Sequence, residues 1–149
     1  MAYKGKFTPI NPTKYVGEVD NIVYRSLWER TVMKYFDQST SILKWSSEEL
    51  TVPYFFPDPK NKGHLKLHKY YPDFVILAKT PEGKNQVTMI EVKPQNQTVP
   101  PKVPKKKTRK YTNQCNTYAI NVTKWAAASK FCLDRHWEFK ILTEKNIYG

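Results

Sequence analysis

An α/β domain, with a mixed central β-sheet flanked by α-helices, is the fold class this sequence predicts. Helical and alternating hydrophobic periods follow one another in the order helix, about three strands, helices, strand. The middle of the chain holds two strand-like segments, "YYPDFVILA" and "QVTMIEVK", joined by the hairpin signal "TPEGKN". At 149 residues and 40% hydrophobic content, the chain is the size of one domain, residues 1–149, and can bury a real core.

Each element has its own signal. The first 22 or so residues are rich in Lys, Pro, Gly and Asn and read as an extended N-terminal arm. From Tyr24 to about residue 37, Leu27, Trp28, Thr31, Val32, Tyr35 and Phe36 recur in pairs four apart, the stripe of an amphipathic helix. "SILKW" and "ELTVPYFF" look like strands, and Pro53 marks an edge position or a bulge. "DPKNKGH" is a turn-rich loop, followed by the hairpin already named. Residues 94–110, "PQNQTVPPKVPKKKTRK", combine four prolines with a dense basic cluster, which predicts an exposed, partly extended loop. "TRKYTNQCNTYAI" and "NVTKWAAASKFCLDRH" are two candidate helices, with Asn121 as N-cap of the second. "WEFKILT" alternates as a closing strand.

Charge points to the partner. The chain has 25 Lys+Arg against 13 Asp+Glu, a net charge of +12, and an isoelectric point near 9.6. That balance favours a polyanion, nucleic acid first. No long apolar run, signal peptide or lipidation motif supports a membrane partner. Cys115 and Cys132 lack metal-ligand spacing and read as small hydrophobes of a reduced, cytoplasmic protein. His64 and His68 have no Cys or acidic partner to complete a zinc site.

The chemistry concentrates in the hairpin. Asp73 stands near the start of its first strand and Glu91 near the end of its second, so antiparallel pairing brings them side by side. Period-2 geometry sends Glu91 and Lys93 to one face, and Ile90 and Val92 to the other. Two carboxylates at a sheet end suit a hard divalent cation such as Mg2+, with Mn2+ as a substitute, and the Val92 carbonyl would add an oxygen. Lys93 then stands where it can act on an attacking water or offset charge on a phosphoryl group. Pro72 and Pro94 restrict the residues before them and bound the site. A solvated strand face with a cross-strand ion pair is the plainer reading of Glu91 and Lys93.

"PD" at 72–73 and "EVK" at 91–93 resemble the PD-(D/E)xK pattern of restriction-endonuclease-like nucleases. The resemblance implies that fold, ligand roles for Asp73 and Glu91, the lysine role for Lys93, and an accessory carboxylate from the preceding helix, Glu29 in "YRSLWERTV". Ser26 and Glu29 also fit a capping box, which would make Glu29 a helix-start residue, and Glu48 and Glu49 are held in reserve as third acids. "YRSLWE", "VPYFF", "IEVKP", "NVTKWAAA" and "FKILTE" resemble, in this order, head completion nucleases of tailed phages. That similarity implies a Mg2+-dependent DNA nuclease acting after packaging, in the host cytoplasm or the virion, with portal or neck proteins of the capsid as partners. A non-catalytic head-completion or DNA-end-binding protein is the alternative, as is a structure-selective junction-resolving or transposase-associated nuclease with the same core.

For DNA contact, the sequence offers Arg25 and the cluster Lys102, Lys105, Lys106, Lys107, Arg109 and Lys110, which directly follows the proposed catalytic strand. Such charge grips phosphates without reading bases, so sequence-nonspecific or structure-selective recognition is expected. Gln114 and Tyr118 share one helical face, as packing residues or as a second contact to DNA.

Overall fold

The short strands β1 (Gly5–Lys6) and β2 (Val23–Tyr24) pair antiparallel and bracket two 3-10 turns, at Pro12–Lys14 and Val19–Asn21, in the computed structural model, which describes residues 4–148. The predicted arm is therefore extended but docked, and its first three residues lie outside the described ones. Tyr15 and Ile22 are buried in the main core. Asp37, 1% exposed, accepts the backbone N–H groups of Ile10 and Asn11 at 2.7 and 2.9 Å. A buried carboxylate is tolerated here because charge-assisted hydrogen bonds replace its water.

Helix α1 (Leu27–Gln38) starts where Ser26 caps it and buries Val32, Met33 and Phe36. Strands β3 (Ile42–Ser47), β4 (Val52–Pro57), β5 (Leu65–Tyr70), β6 (Phe74–Lys79) and β7 (Asn85–Val92) follow. The segment read as one strand, "YYPDFVILA", is broken: Pro72 separates β5 from β6, and the two strands belong to different sheets. Pro lacks the N–H that a continuous ladder needs. After a 3-10 turn at Gln95–Gln97 come α2 (Arg109–Asp134), β8 (Glu138–Leu142) and the short α3 (Glu144–Tyr148).

One 26-residue helix thus replaces the two predicted after the basic loop. Thr108 caps it, accepting the Tyr111 N–H, and Asn121 lies buried in its middle instead of capping a second helix. An Asn within a hydrophobic face reads locally as a break, and only burial against the rest of the chain overrides that preference.

The four-stranded sheet runs β3-β6-β7-β8. Its first two pairings are antiparallel and the third, β7 with β8, is parallel. A parallel neighbour needs a long crossover, which α2 supplies. On one face, Phe36 and Met33 of α1 pack with Trp45, Phe74, Ile76 and Ile90. On the other, Ala128 and Cys132 of α2 pack with Met89 and with Val52, Tyr54 and Tyr70 of the separate β4–β5 ribbon. The buried Cys132 behaves as the small hydrophobe predicted. His68 stacks on Tyr54, with ring centroids 5.3 Å apart.

Candidate active site

The last residue pair joining β6 to β7 is Phe74 with Ile90. Asp73 and Glu91 are the next residues outward on each strand, so both lie at the same end of the four-stranded sheet. Asp73 reaches across the strands, and its Oδ2 accepts the Val92 N–H at 2.7 Å. Fully buried Pro72 holds the chain just ahead of it. Glu91 is 5% exposed, and its nearest cation is Lys93, whose Nζ lies 3.9 Å from Oε2. That is beyond hydrogen-bond length, so the lysine is beside the carboxylate without being consumed by it. The Lys93 N–H donates to the Leu142 carbonyl at 2.9 Å, so strand geometry persists through Lys93 before Pro94 ends it.

Crowded negative charge dominates the electrostatics. Burial, then the neighbouring Glu91 charge, holds the Asp73 carboxyl well above its ordinary pKa, against the lowering effect of the Val92 N–H. Glu29 is also raised, first by burial, and feels both Glu48 and Glu91. Its local role is the predicted cap: Ser26 Oγ accepts the Glu29 N–H at 3.2 Å, and Glu29 Oε2 accepts the Arg25 N–H at 3.1 Å. The capping role of Glu29 is thus observed, and its carboxyl also feels the charges of Glu48 and Glu91.

Four residues near the acids escaped the sequence pattern or stood only as reserve candidates in it. Glu48 donates its N–H to the Asp73 carbonyl at 3.2 Å and sits at φ 55°, a left-handed conformation costly for a residue with a Cβ. Its carboxylate holds Arg25 through both Nε (3.0 Å) and Nη2 (3.1 Å), so Arg25 is committed to an acid in this state. Glu49 instead accepts the Tyr15 hydroxyl at 2.6 Å, on the arm side. Among the described residues the buried Tyr70 hydroxyl has no hydrogen-bond partner, and burial together with the Glu91 charge pushes its pKa up. Glu144 accepts the Gln95 N–H at 3.1 Å and pins the chain where the basic loop departs. None of these has a short sequence signature.

Lys102, Lys105, Lys106, Lys107, Arg109 and Lys110 are all exposed, as predicted for a solvated basic segment. Arg109 and Lys110 open α2, where two cations meet the positive end of the helix dipole, an arrangement unfavourable for the helix alone. Between this segment and the first half of α2 lies a cleft of about 920 Å³, lined by Lys102, Arg109 and Lys110 and by Gln114 and Tyr118.

The donor set suits a hard cation better than zinc. Two adjacent carboxylates match the few protein oxygens such a cation takes. Among the described residues, no three His, Cys, Asp or Glu side chains stand close enough together to hold a metal ion. No helix among them is long and apolar enough to cross a membrane.

Residues 39–144 match the family model of the TnsA-like endonuclease N-terminal domain, a span from β3 into α3 that contains Asp73, Glu91 and Lys93. The chain is also 35% identical to the head completion nuclease of Enterobacteria phage T4, over 99% of this chain and 95% of the relative. With its mixed sheet flanked by helices, the chain belongs to the TnsA-like endonuclease family and is a nuclease of restriction-endonuclease-like fold.

Proposed function

We propose that this protein is a divalent-metal-dependent DNA nuclease that hydrolyses phosphodiester bonds during phage head completion, after the genome is packaged. The observation that carries the metal-dependent chemistry is the meeting of Asp73 and Glu91 at one sheet end, with the Lys93 ammonium 3.9 Å from Glu91. The relative from phage T4 supports the biological setting.

Asp73, Glu91 and the Val92 carbonyl would hold the cation, with Glu29 completing the acidic shell. A bound Mg2+ or Mn2+ supplies charge neutralisation at the phosphate and lowers the pKa of its water. The rest belongs to the protein. The Val92 N–H keeps Asp73 aimed across the strands. Burial keeps Glu91 desolvated, which strengthens its pull on any cation that enters. Lys93, partly exposed at the mouth, orients the attacking water or stabilises charge growing on the phosphoryl oxygens. The basic segment 102–110 holds the phosphate backbone alongside; its cations at the start of α2 make sense if a polyanion offsets them. Portal or neck proteins of the capsid would bring the enzyme to the filled head.

The test incubates the protein with linear, overhanging and branched DNA in Mg2+, Mn2+ or chelator, beside Asp73→Ala and Lys93→Ala. Cutting that requires metal and is lost in both variants is the expected result. Absence of cutting with either metal would leave a structural role; retained cutting in both variants would move the site elsewhere.

A further inference from the structure

The β4–β5 ribbon forms no ladder with the central sheet and turns two unlike faces outward and inward. Val52, Tyr54 and Tyr70 point inward and pack on α2 and Met89. Phe55 opposite Leu67, and Pro57 opposite Leu65, form the outer face. Those apolar side chains are left in solvent, with Phe55 59%, Leu65 66% and Leu67 56% exposed. Apolar side chains set side by side on an exposed strand face and rimmed by charge suit a contact surface.

Charge identifies the partner. Between residues 52 and 70 the ribbon carries Lys60, Lys62, Lys66 and Lys69, and its single acid is Asp58. Asp58 is used in the turn, where its Oδ1 accepts the Lys60 N–H at 3.0 Å. Four cations around the ridge, none of them in an ion pair among the described residues, fit a polyanion. Position agrees, since β5 ends at Tyr70, three residues before Asp73. Six residues at ~3.4 Å each carry the ribbon ~20 Å away from the site, about six phosphates along one DNA strand at ~3.4 Å each.

We propose that the β4–β5 ribbon is a DNA-docking arm: it lays Phe55, Leu65 and Leu67 against a groove of duplex DNA beside the cut, while its lysines hold the flanking phosphates. A two-stranded ribbon fits the major groove, whose thymine methyl groups accept apolar contact. This rests on the nuclease reading for the location of the cut but uses a surface separate from the acids and from segment 102–110.

The test measures binding of the full-length protein to a 40-base-pair duplex in chelator across a salt series, for wild type, Lys60→Gln/Lys62→Gln/Lys66→Gln/Lys69→Gln, and Phe55→Ser/Leu67→Ser. Circular dichroism confirms folding. The lysine variant is expected to flatten the slope of log affinity against log salt by about 2–4 and to weaken binding at least ~10-fold near 0.1 M salt. The Phe55/Leu67 variant is expected to weaken binding with the slope unchanged. A folded lysine variant with wild-type affinity and slope overturns the arm and leaves the apolar face to a protein partner. Cleavage in Mg2+ separates the two readings. Wild-type cutting with a silent lysine variant removes the arm alone, whereas ribbon-dependent binding without any cutting removes the nuclease chemistry alone.

Discussion

Replacing Asp73 by Asn should abolish cleavage and yet make the metal-free protein more stable. Asn keeps a side-chain oxygen to accept the Val92 N–H, now at 2.7 Å from Oδ2, and nearly the same volume. It removes one of two adjacent, poorly solvated carboxylates. The raised Asp73 pKa already includes the benefit of the Val92 bond, so the balance that remains is unfavourable to the charged form. Relieving such a group is worth on the order of 1–3 kcal/mol, about 2–10 °C in Tm for a chain of this length. The sign with pH follows. A carboxyl raised in the folded state costs nothing below its unfolded pKa of about 3.9, and its stability is lost as pH rises through the folded value. The advantage of Asn is therefore greatest above the raised folded-state pKa and shrinks as pH falls toward the ordinary carboxylate range. Thermal melts of both proteins in chelator, over that pH range, measure it. Added Mg2+ should raise the wild-type Tm by mass action and leave the variant nearly unmoved. A variant less stable than wild type in chelator at pH 7.5 would refute the idea of a strained, cation-seeking acid pair.

Other expectations can be checked in parallel. Glu29→Gln retains a side chain able to cap α1, so Tm should change little, while cleavage falls about 10-fold or more if Glu29 completes the acidic shell; equal activity would leave it a capping residue. Asp37→Ala strips the acceptor from Ile10 and Asn11 and should cost about 2–4 kcal/mol, read by denaturant unfolding, with amide exchange rising across residues 7–15. Lys105→Gln/Lys106→Gln/Lys107→Gln should flatten the salt dependence of DNA binding by up to about 3 without changing Tm, measured by anisotropy.

Much of the fold could be read locally because its signals are local. The stripe from Leu27 to Phe36 and the Ser26 cap depend on neighbours within one or two turns, and α1 forms where they indicate. The β6–β7 hairpin follows from a turn signal between two strand patterns. The place of β5 and the continuity of α2 could not be read this way. Pro72 looks like a mild interruption until β5 leaves to pair with β4, and Asn121 looks like a cap until the fold buries it inside one long helix. The arm read as extended because Pro, Gly and Lys dominate it; docking depends on one buried acid 26 or 27 residues away.

By itself, the sequence determined the chemistry on offer: two acids and a lysine at hairpin spacing, a basic surface, and the periodicities of an α/β chain. Side-chain alternation and turn geometry are short-range, so the placing of Asp73 beside Glu91 at one strand end follows from them. Tertiary structure alone decided how much that placement costs. Burial of Asp73 and Glu91 and the approach of Glu29 from α1 together concentrate negative charge that water screens poorly. The physical reason is that desolvation and through-space repulsion depend on every element packed around a group, and no spacing along the chain encodes that sum.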